Sequence, residues 1–203
     1  MMKLYTFKAP NAFRVHAFLK EKGVDVPAET VNLMEGAGRT PEFLAINSLG
    51  EIPVLELDNG THLTESVAIC RYFEAQHPEP PLFGKTPEEA AKVEMWNRRM
   101  EFHVMGPIGE VGRHTFEFFA DKMEQLPTYA DSQRRLMRKK WAWLNDELSD
   151  GRTFVCNDAF SIADITGMAA LMICQFADES VPGDLAHVKR WEKAVRARPS
   201  WNV

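Results

Sequence analysis

Cysteine is scarce in this 203-residue chain, with three residues at Cys70, Cys156 and Cys174. An odd set with no C-x-x-C spacing argues against both a disulfide framework and a zinc site. Cys70 and Cys174 fall within apolar helical patterns and read as small core residues. The six histidines are scattered, with no H-E-x-x-H or similar spacing, so no metal is expected. Positive charge is in deficit: 24 Lys and Arg stand against 29 Asp and Glu, a net charge of −5. That balance gives no electrostatic reason to expect nucleic acid or an anionic membrane as partner. Long apolar runs are missing too, none approaching the roughly 18 residues of a spanning helix. The opening MMKLYTFKAPN holds too short an apolar stretch for a signal peptide, and a cytoplasmic location is expected. What is present is ordinary for a globular protein: 45% apolar and 26% charged residues, enough to bury a core in one large domain or two small ones.

Strand and helix signals alternate over the first eighty residues. Lys3–Phe7 is a β-prone run; 11–22 carries an apolar helical side through Phe13, Val15, Ala17, Phe18 and Leu19, with Gly23 placed to end it. Thr30–Leu33 is a second strand candidate, and Pro41 suits the first turn of a short helix. Val54–Leu57 and Thr61–Leu63 flank Asp58-Asn59-Gly60, a hairpin signal whose central pair is expected at positive φ. Residues 66–76 read as a helix through Val67, Ile69, Cys70 and Phe73. The order is β-α-β-α-β-β-α, with the first two strands parallel through a crossover and the last two antiparallel.

The run His77-Pro78-Glu79-Pro80-Pro81 cannot continue a helix and serves as a linker. Beyond it the strand signal almost vanishes. Thr86-Pro87-Glu88-Glu89 is a capping box that opens a long helix through Met95, Trp96 and Met100. A further helix is expected over about 128–148, another opening at Ser161-Ile162-Ala163-Asp164, and a last over about 185–198. Gly106, Gly109 and Gly112 around Pro107 predict a kink in the long helix. The fold class is therefore α/β plus all-α, with residues 1–82 as an α/β domain and 83–203 as an all-helical one.

Two sites in the first domain carry chemistry. A cis bond between Ile52 and Pro53 would turn the Ile52 N–H and C=O outward, to pair with an extended peptide; a proline entering a strand is also tolerated with no function. Glu65-Ser66 opens a helix. As capping residues the two contribute about 0.3–2 kcal/mol and nothing else. As a binding site, the helix mouth with the Ser66 hydroxyl holds a carboxylate while Glu65 holds an ammonium. Carboxylate and ammonium on one carbon are the free end of an amino acid.

Five motifs in order make the chain resemble the soluble glutathione transferases over nearly its full length. They are K-L-Y-T-F-K-A-P-N-A-F-R-V, Ile52-Pro53-Val54, Glu65-Ser66 leading into A-I-C-R-Y, the linker H-P-E-P-P-L-F, and F-S-I-A-D. The resemblance implies a thioredoxin-like N-terminal domain, an all-helical C-terminal domain and a homodimer. Glutathione would be the co-substrate, with an apolar electrophile beside it. Carried over residue by residue, Glu65 and Ser66 would bind the γ-glutamyl end, and Ile52 with cis Pro53 the cysteinyl backbone. Arg39 would meet the glycyl carboxylate, or remain a plain surface charge.

The thiol partner is less direct. The family supplies a Tyr, Ser or Cys near the first strand, whereas the matching loop here is Lys8-Ala9-Pro10-Asn11 and Ala9 has no hydrogen to donate. The chain looks like bacterial transferases with T-P-N or S-P-N at this place, which makes Asn11 the donor; its other role is an ordinary helix cap. Thr6 is the alternative hydroxyl and Tyr5, on the opposite strand face, ranks third. Phe102, His103, Met105 and His114, with Phe116 and Phe118, lie where the electrophile pocket is expected, although residues of this type at helical spacing are usually core. Ser161 and Asp164 are assigned to folding. Three other readings stand beside conjugation: a glutathione-dependent peroxidase, an isomerase or reductase, and a non-catalytic binding module that the missing hydroxyl at position 9 keeps open.

Overall fold

A computed structural model describes residues 1–203. The chain divides into one unit of Met1–Pro80 with Asn202–Val203, and a second of Pro81–Trp201.

In the first unit, strand β1 (Lys3–Thr6) runs parallel to β2 (Ala28–Thr30) and antiparallel to β3 (Val54–Glu56). β3 pairs antiparallel with β4 (His62–Leu63), giving the order β2-β1-β3-β4. Helix α1 (Pro10–Lys22) makes the crossover between the parallel strands and ends at Gly23, whose φ of 64° lets its N–H reach back to the last carbonyls. α2 (Pro41–Ile46) is short, and α3 (Ser66–Gln76) packs on α1. Successive β1 side chains point to opposite faces. Tyr5 therefore joins Phe43, Val31, Ile52 and Val54 in one apolar cluster, meeting the Phe43 ring edge-on at 6.0 Å.

Two local expectations shift. The second strand lies at Ala28–Thr30 rather than Thr30–Leu33, because its register with β1 ends at Thr6↔Thr30. Beyond it, the Asn32 side chain accepts from the Met34 N–H and opens a 3₁₀ turn at Leu33–Glu35. The hairpin also differs from expectation. Leu57 N–H bonds to Thr61 O, and Gly60 N–H to Leu57 O, so three residues form the loop. Only Gly60 then needs positive φ (81°), and Asn59 instead accepts from the Thr61 N–H.

The second unit is helical: α4 (Pro87–Arg99), a π-helical segment Met100–Met105, α5 (Gly106–Thr115), α6 (Pro127–Glu147), α7 (Ile162–Phe176) and α8 (Ala186–Arg196). Its core holds the fully buried Trp141, Trp191, Met100, Ile108 and Leu144. The α4 capping box forms as the sequence predicts, with Thr86 accepting from Glu89 N–H and the Glu89 carboxylate reaching back to the Thr86 N–H. At the predicted kink the structure has the π segment. Proline 107 supplies no N–H, and the wider turns ahead of it let the Gly106 N–H bond to Glu101 O, five residues back. Asp164 is completely buried at the start of α7, where it accepts from Val155 N–H, Ser161 N–H, the Ser161 hydroxyl and Trp191 Nε1. No helix is long and apolar enough to cross a membrane.

Candidate active site

The opening of α3 lacks the capping that its sequence suggested. Glu65 occupies the N-cap position but makes no side-chain cap bond, and Ser66 is already the first helical residue. The N–H groups of Ser66, Val67 and Ala68 have no partner in the chain, since the first internal bond is Ile69 N–H to Glu65 O. Glu65 is exposed, its carboxylate also unpartnered, and its backbone sits at φ 63°, ψ 110°. Only glycine visits such a conformation cheaply, and a residue with Cβ stores about 1–3 kcal/mol there. Capping cannot be what maintains this acid in this conformation.

Ser66 is 5% exposed, and its hydroxyl oxygen accepts from Arg14 Nη1 at 3.0 Å. Arg14, 2% exposed, lies on α1 one turn after Asn11. This bond ties the second turn of α1 to the first residue of α3. Nothing local in the sequence signals it: Arg14 is one charge among apolar neighbours, and its partner is 52 positions away.

At the mouth of α1, Ala9 is the N-cap and has no side-chain donor, Pro10 has no N–H, and Asn11 is the second helical residue. Asn11 is therefore not the helix cap. It is exposed, with both its side-chain amide and its backbone N–H unpartnered in the chain. The other two thiol candidates are occupied. Thr6 Oγ1 is 2.8 Å from His16 Nε2, and burial holds the His16 pKa below its usual value, so the ring is neutral. The Tyr5 hydroxyl donates to Glu56 at 2.8 Å on the far face of the sheet.

The Ile52–Pro53 peptide bond is cis, and the Ile52 N–H and C=O make no hydrogen bond in the chain. The loop that carries them is fixed from behind. A Cβ on Gly38 would lie 2.5 Å from Gly50 O, and one on Gly50 would lie 2.4 Å from Gly38 O. Two backbones thus touch where only glycine fits. Asn47 Nδ2 donates to Glu51 O, and Arg39 Nη1 to Leu49 O at 3.0 Å. Arg39 is therefore more than a plain surface charge: it braces this loop, and its remaining donors stay exposed.

In the helical unit Phe102, His103 and Met105 all lie within the π segment. Phe102 is 64% exposed. His103 is also exposed, its ring edge-on to Trp143 at 6.0 Å, with its pKa lowered first by burial and then by Lys140 and Arg99. His114 does not join them; it is buried, and its Nδ1 accepts from the Leu126 N–H. That ring fastens a loop to α5. Phe116 and Phe118 lie beyond the end of α5, 6.2 Å apart.

Two family profiles match the sequence: "Glutathione S-transferase, N-terminal domain" over residues 9–76 and "Glutathione S-transferase, C-terminal domain" over 105–199. Glutathione S-transferase 2 of Saccharomyces cerevisiae is 34% identical over 195 residues, spanning 94% of this chain and 83% of the relative. A maleylacetoacetate isomerase of Pseudomonas aeruginosa is 38% identical over 94 residues, 45% of this chain and 44% of the relative. The crystal structure of a glutathione S-transferase domain-containing protein from Marinobacter aquaeolei superposes with a TM-score of 0.92 at 36% identity, covering 98% of this chain and 99% of that one. Sequence profiles, full-length relatives and the fold agree, and the chain belongs to the glutathione S-transferase family.

Proposed function

We propose that the protein binds glutathione along the first unit, ionises its thiol and conjugates it to small apolar electrophiles, acting in the cytoplasm as a homodimer in detoxification. The observation that carries this reading is the opening of α3: three backbone N–H groups, a buried hydroxyl and an unpartnered carboxylate held in a strained conformation. A γ-glutamyl end has the complementary groups, a carboxylate for the N–H groups and Ser66 and an ammonium for Glu65. The free Ile52 N–H and C=O suit the cysteinyl backbone, as one rung of a strand pairing. Arg39 offers its exposed donors to the glycyl carboxylate.

The thiol then lies at the mouth of α1. An ordinary thiol near pKa 8.5 is only a few per cent ionised at neutral pH. Lowering it by two units takes about 2.7 kcal/mol. A hydrogen bond to a charged acceptor contributes about 1.5–3 kcal/mol and the helix terminus about 0.3–1, so the Asn11 amide and the α1 dipole together suffice. The proton leaves to solvent, the thiolate attacks the electrophilic carbon, a C–S bond forms and the leaving group departs with its electron pair. Phe102, His103 and Met105 supply apolar surface for that electrophile. His114 is committed to its loop and is dropped from the electrophile contacts.

Calorimetric titration with glutathione, followed by conjugation of a chloro-dinitroaromatic, tests the proposal. Wild type binds and conjugates, while the Glu65→Ala, Ser66→Ala double variant loses about a hundredfold or more in affinity. Equal binding by the variant removes the site.

Isomerisation is the second reading, favoured by the likeness to the maleylacetoacetate isomerase. There the thiolate adds to a conjugated double bond, rotation follows, and elimination returns the thiol. Glutathione consumption separates the two: stoichiometric with product in conjugation, nil in isomerisation. A reductase using its own thiol is disfavoured, because Lys8-Ala9-Pro10-Asn11 holds no cysteine.

A further inference from the structure

We infer that Arg14 is a positioning residue that fixes the Ser66 hydroxyl as a hydrogen-bond donor to the ligand's α-carboxylate. The inference rests on glutathione binding at the α3 mouth as proposed above. A serine hydroxyl has one hydrogen and two lone pairs, and in isolation can donate or accept in any direction. A guanidinium only donates. With Arg14 Nη1 placed 3.0 Å from Ser66 Oγ, the oxygen can only be the acceptor in that bond. Its own hydrogen must then point away from Arg14. Accepting from a cation also makes the O–H a stronger donor.

Burial gives this arrangement its force. Arg14 and Ser66 are 2% and 5% exposed, so neither exchanges its partner freely with water. The guanidinium charge lies along the α3 face that carries Ser66, Cys70 and Glu74: the Cys70 thiol is raised mainly by burial, with Arg14 working to lower it and Glu74 to raise it. With Glu74 opposing it on that face, the guanidinium acts on the helix mouth through the hydroxyl it polarises, whose outward O–H favours an anion there over a cationic group. Glu65 lies on the outer side of the same opening. Two opposite charges flanking one helix start thus distinguish the two ends of an α-amino acid.

The test compares glutathione with γ-aminobutyryl-cysteinyl-glycine, which keeps the chain and amine but lacks the α-carboxylate. Affinities are measured by calorimetry for wild type, Arg14→Met, Arg14→Gln, Ser66→Ala and Arg14→Met with Ser66→Ala. Wild type should prefer glutathione by about ten- to a hundredfold. Arg14→Met should reduce that preference to the level of Ser66→Ala, with the double variant no worse than either. Arg14→Gln, which still donates an N–H and tolerates burial better than an unpaired change of charge, should recover part of it. If Arg14→Met weakens both peptides equally and leaves the preference intact, Arg14 only supports the fold and the inference fails. Should Arg14→Met not fold, the Gln variant decides alone: equal weakening of both peptides with the preference undiminished overturns the role of Arg14. Failure of wild type to bind glutathione overturns the proposed function instead, and that result is read before any variant is made.

Discussion

Replacing Glu65 by glycine should make the protein more stable and a poorer binder. Glu65 is held at φ 63°, ψ 110°, where a side chain with Cβ costs about 1–3 kcal/mol. Glycine removes that strain. Against the gain stand the extra freedom of glycine in the unfolded chain, about 0.4–1 kcal/mol, and the lost attraction of an acid for a helix start, about 0.3–1 kcal/mol. The side chain is exposed, so little packing is lost. Taking mid-range values leaves a net gain of about 0.7 kcal/mol, or about 1–3 °C in Tm for a chain of this size. Glu65→Ala is the necessary control, because alanine loses the carboxylate but keeps Cβ and the strain. Urea unfolding should rank the variants with glycine above wild type and alanine slightly below. Glutathione affinity should fall by about tenfold or more in both, since both lose the partner of the ammonium. A glycine variant less stable than the alanine variant would refute the claim that strain is stored there.

Four other variants probe the thiol, the loop seam, the helical unit and the buried carboxyl. Asn11→Ala should raise the pKa of the bound thiol by at least about one unit and lower conjugation near neutral pH about tenfold, read from ultraviolet thiolate absorbance; an unchanged thiol pKa would remove Asn11 from the mechanism. Gly50→Ala should destabilise by about 1–3 kcal/mol and weaken glutathione binding, because its Cβ would meet Gly38 O at 2.4 Å. Gly109→Ala, with nothing within 4 Å of its Cβ, should stabilise by about 0.5–1 kcal/mol, both measured by urea unfolding. Burial pushes the Asp164 carboxyl up to about 6 despite its four hydrogen bonds, so the native state holds this proton more tightly than the unfolded chain. Its contribution to stability therefore grows as pH falls from about 6 towards 4 and is flat above 7. Unfolding curves should show Asp164→Ala costing about 2 kcal/mol more at pH 4 than at pH 7, and a cost that shrinks in acid would contradict this.

What could be read from the sequence was what neighbouring residues decide among themselves. Thr86-Pro87-Glu88-Glu89 completes its own hydrogen bonds within one turn, and Gly23 closes α1 with its own φ. Glu65-Ser66 and Ile52-Pro53 were recognisable as motifs, yet their state was not. Nothing local says that a glutamate adopts a glycine's backbone angles or that a hydroxyl is turned by an arginine 52 positions earlier. Both depend on how α1 packs on α3. The second strand slipped for a similar reason, since its bounds follow β1 rather than its own β propensity. The π segment was not legible because the composition around Pro107 announces a missing hydrogen bond without saying how the helix absorbs it.

The seam where Gly38 meets Gly50 has a consequence for how this protein can diversify. Any mutation at either position drives a methyl group into a carbonyl oxygen, and no side chain can swing aside to admit it. A library randomising residues 36–52 should therefore return survivors with glycine at both positions. Variation in this stretch is thereby channelled to its exposed positions, such as Glu42, Ala45 and Ser48, while the seam beneath them stays fixed.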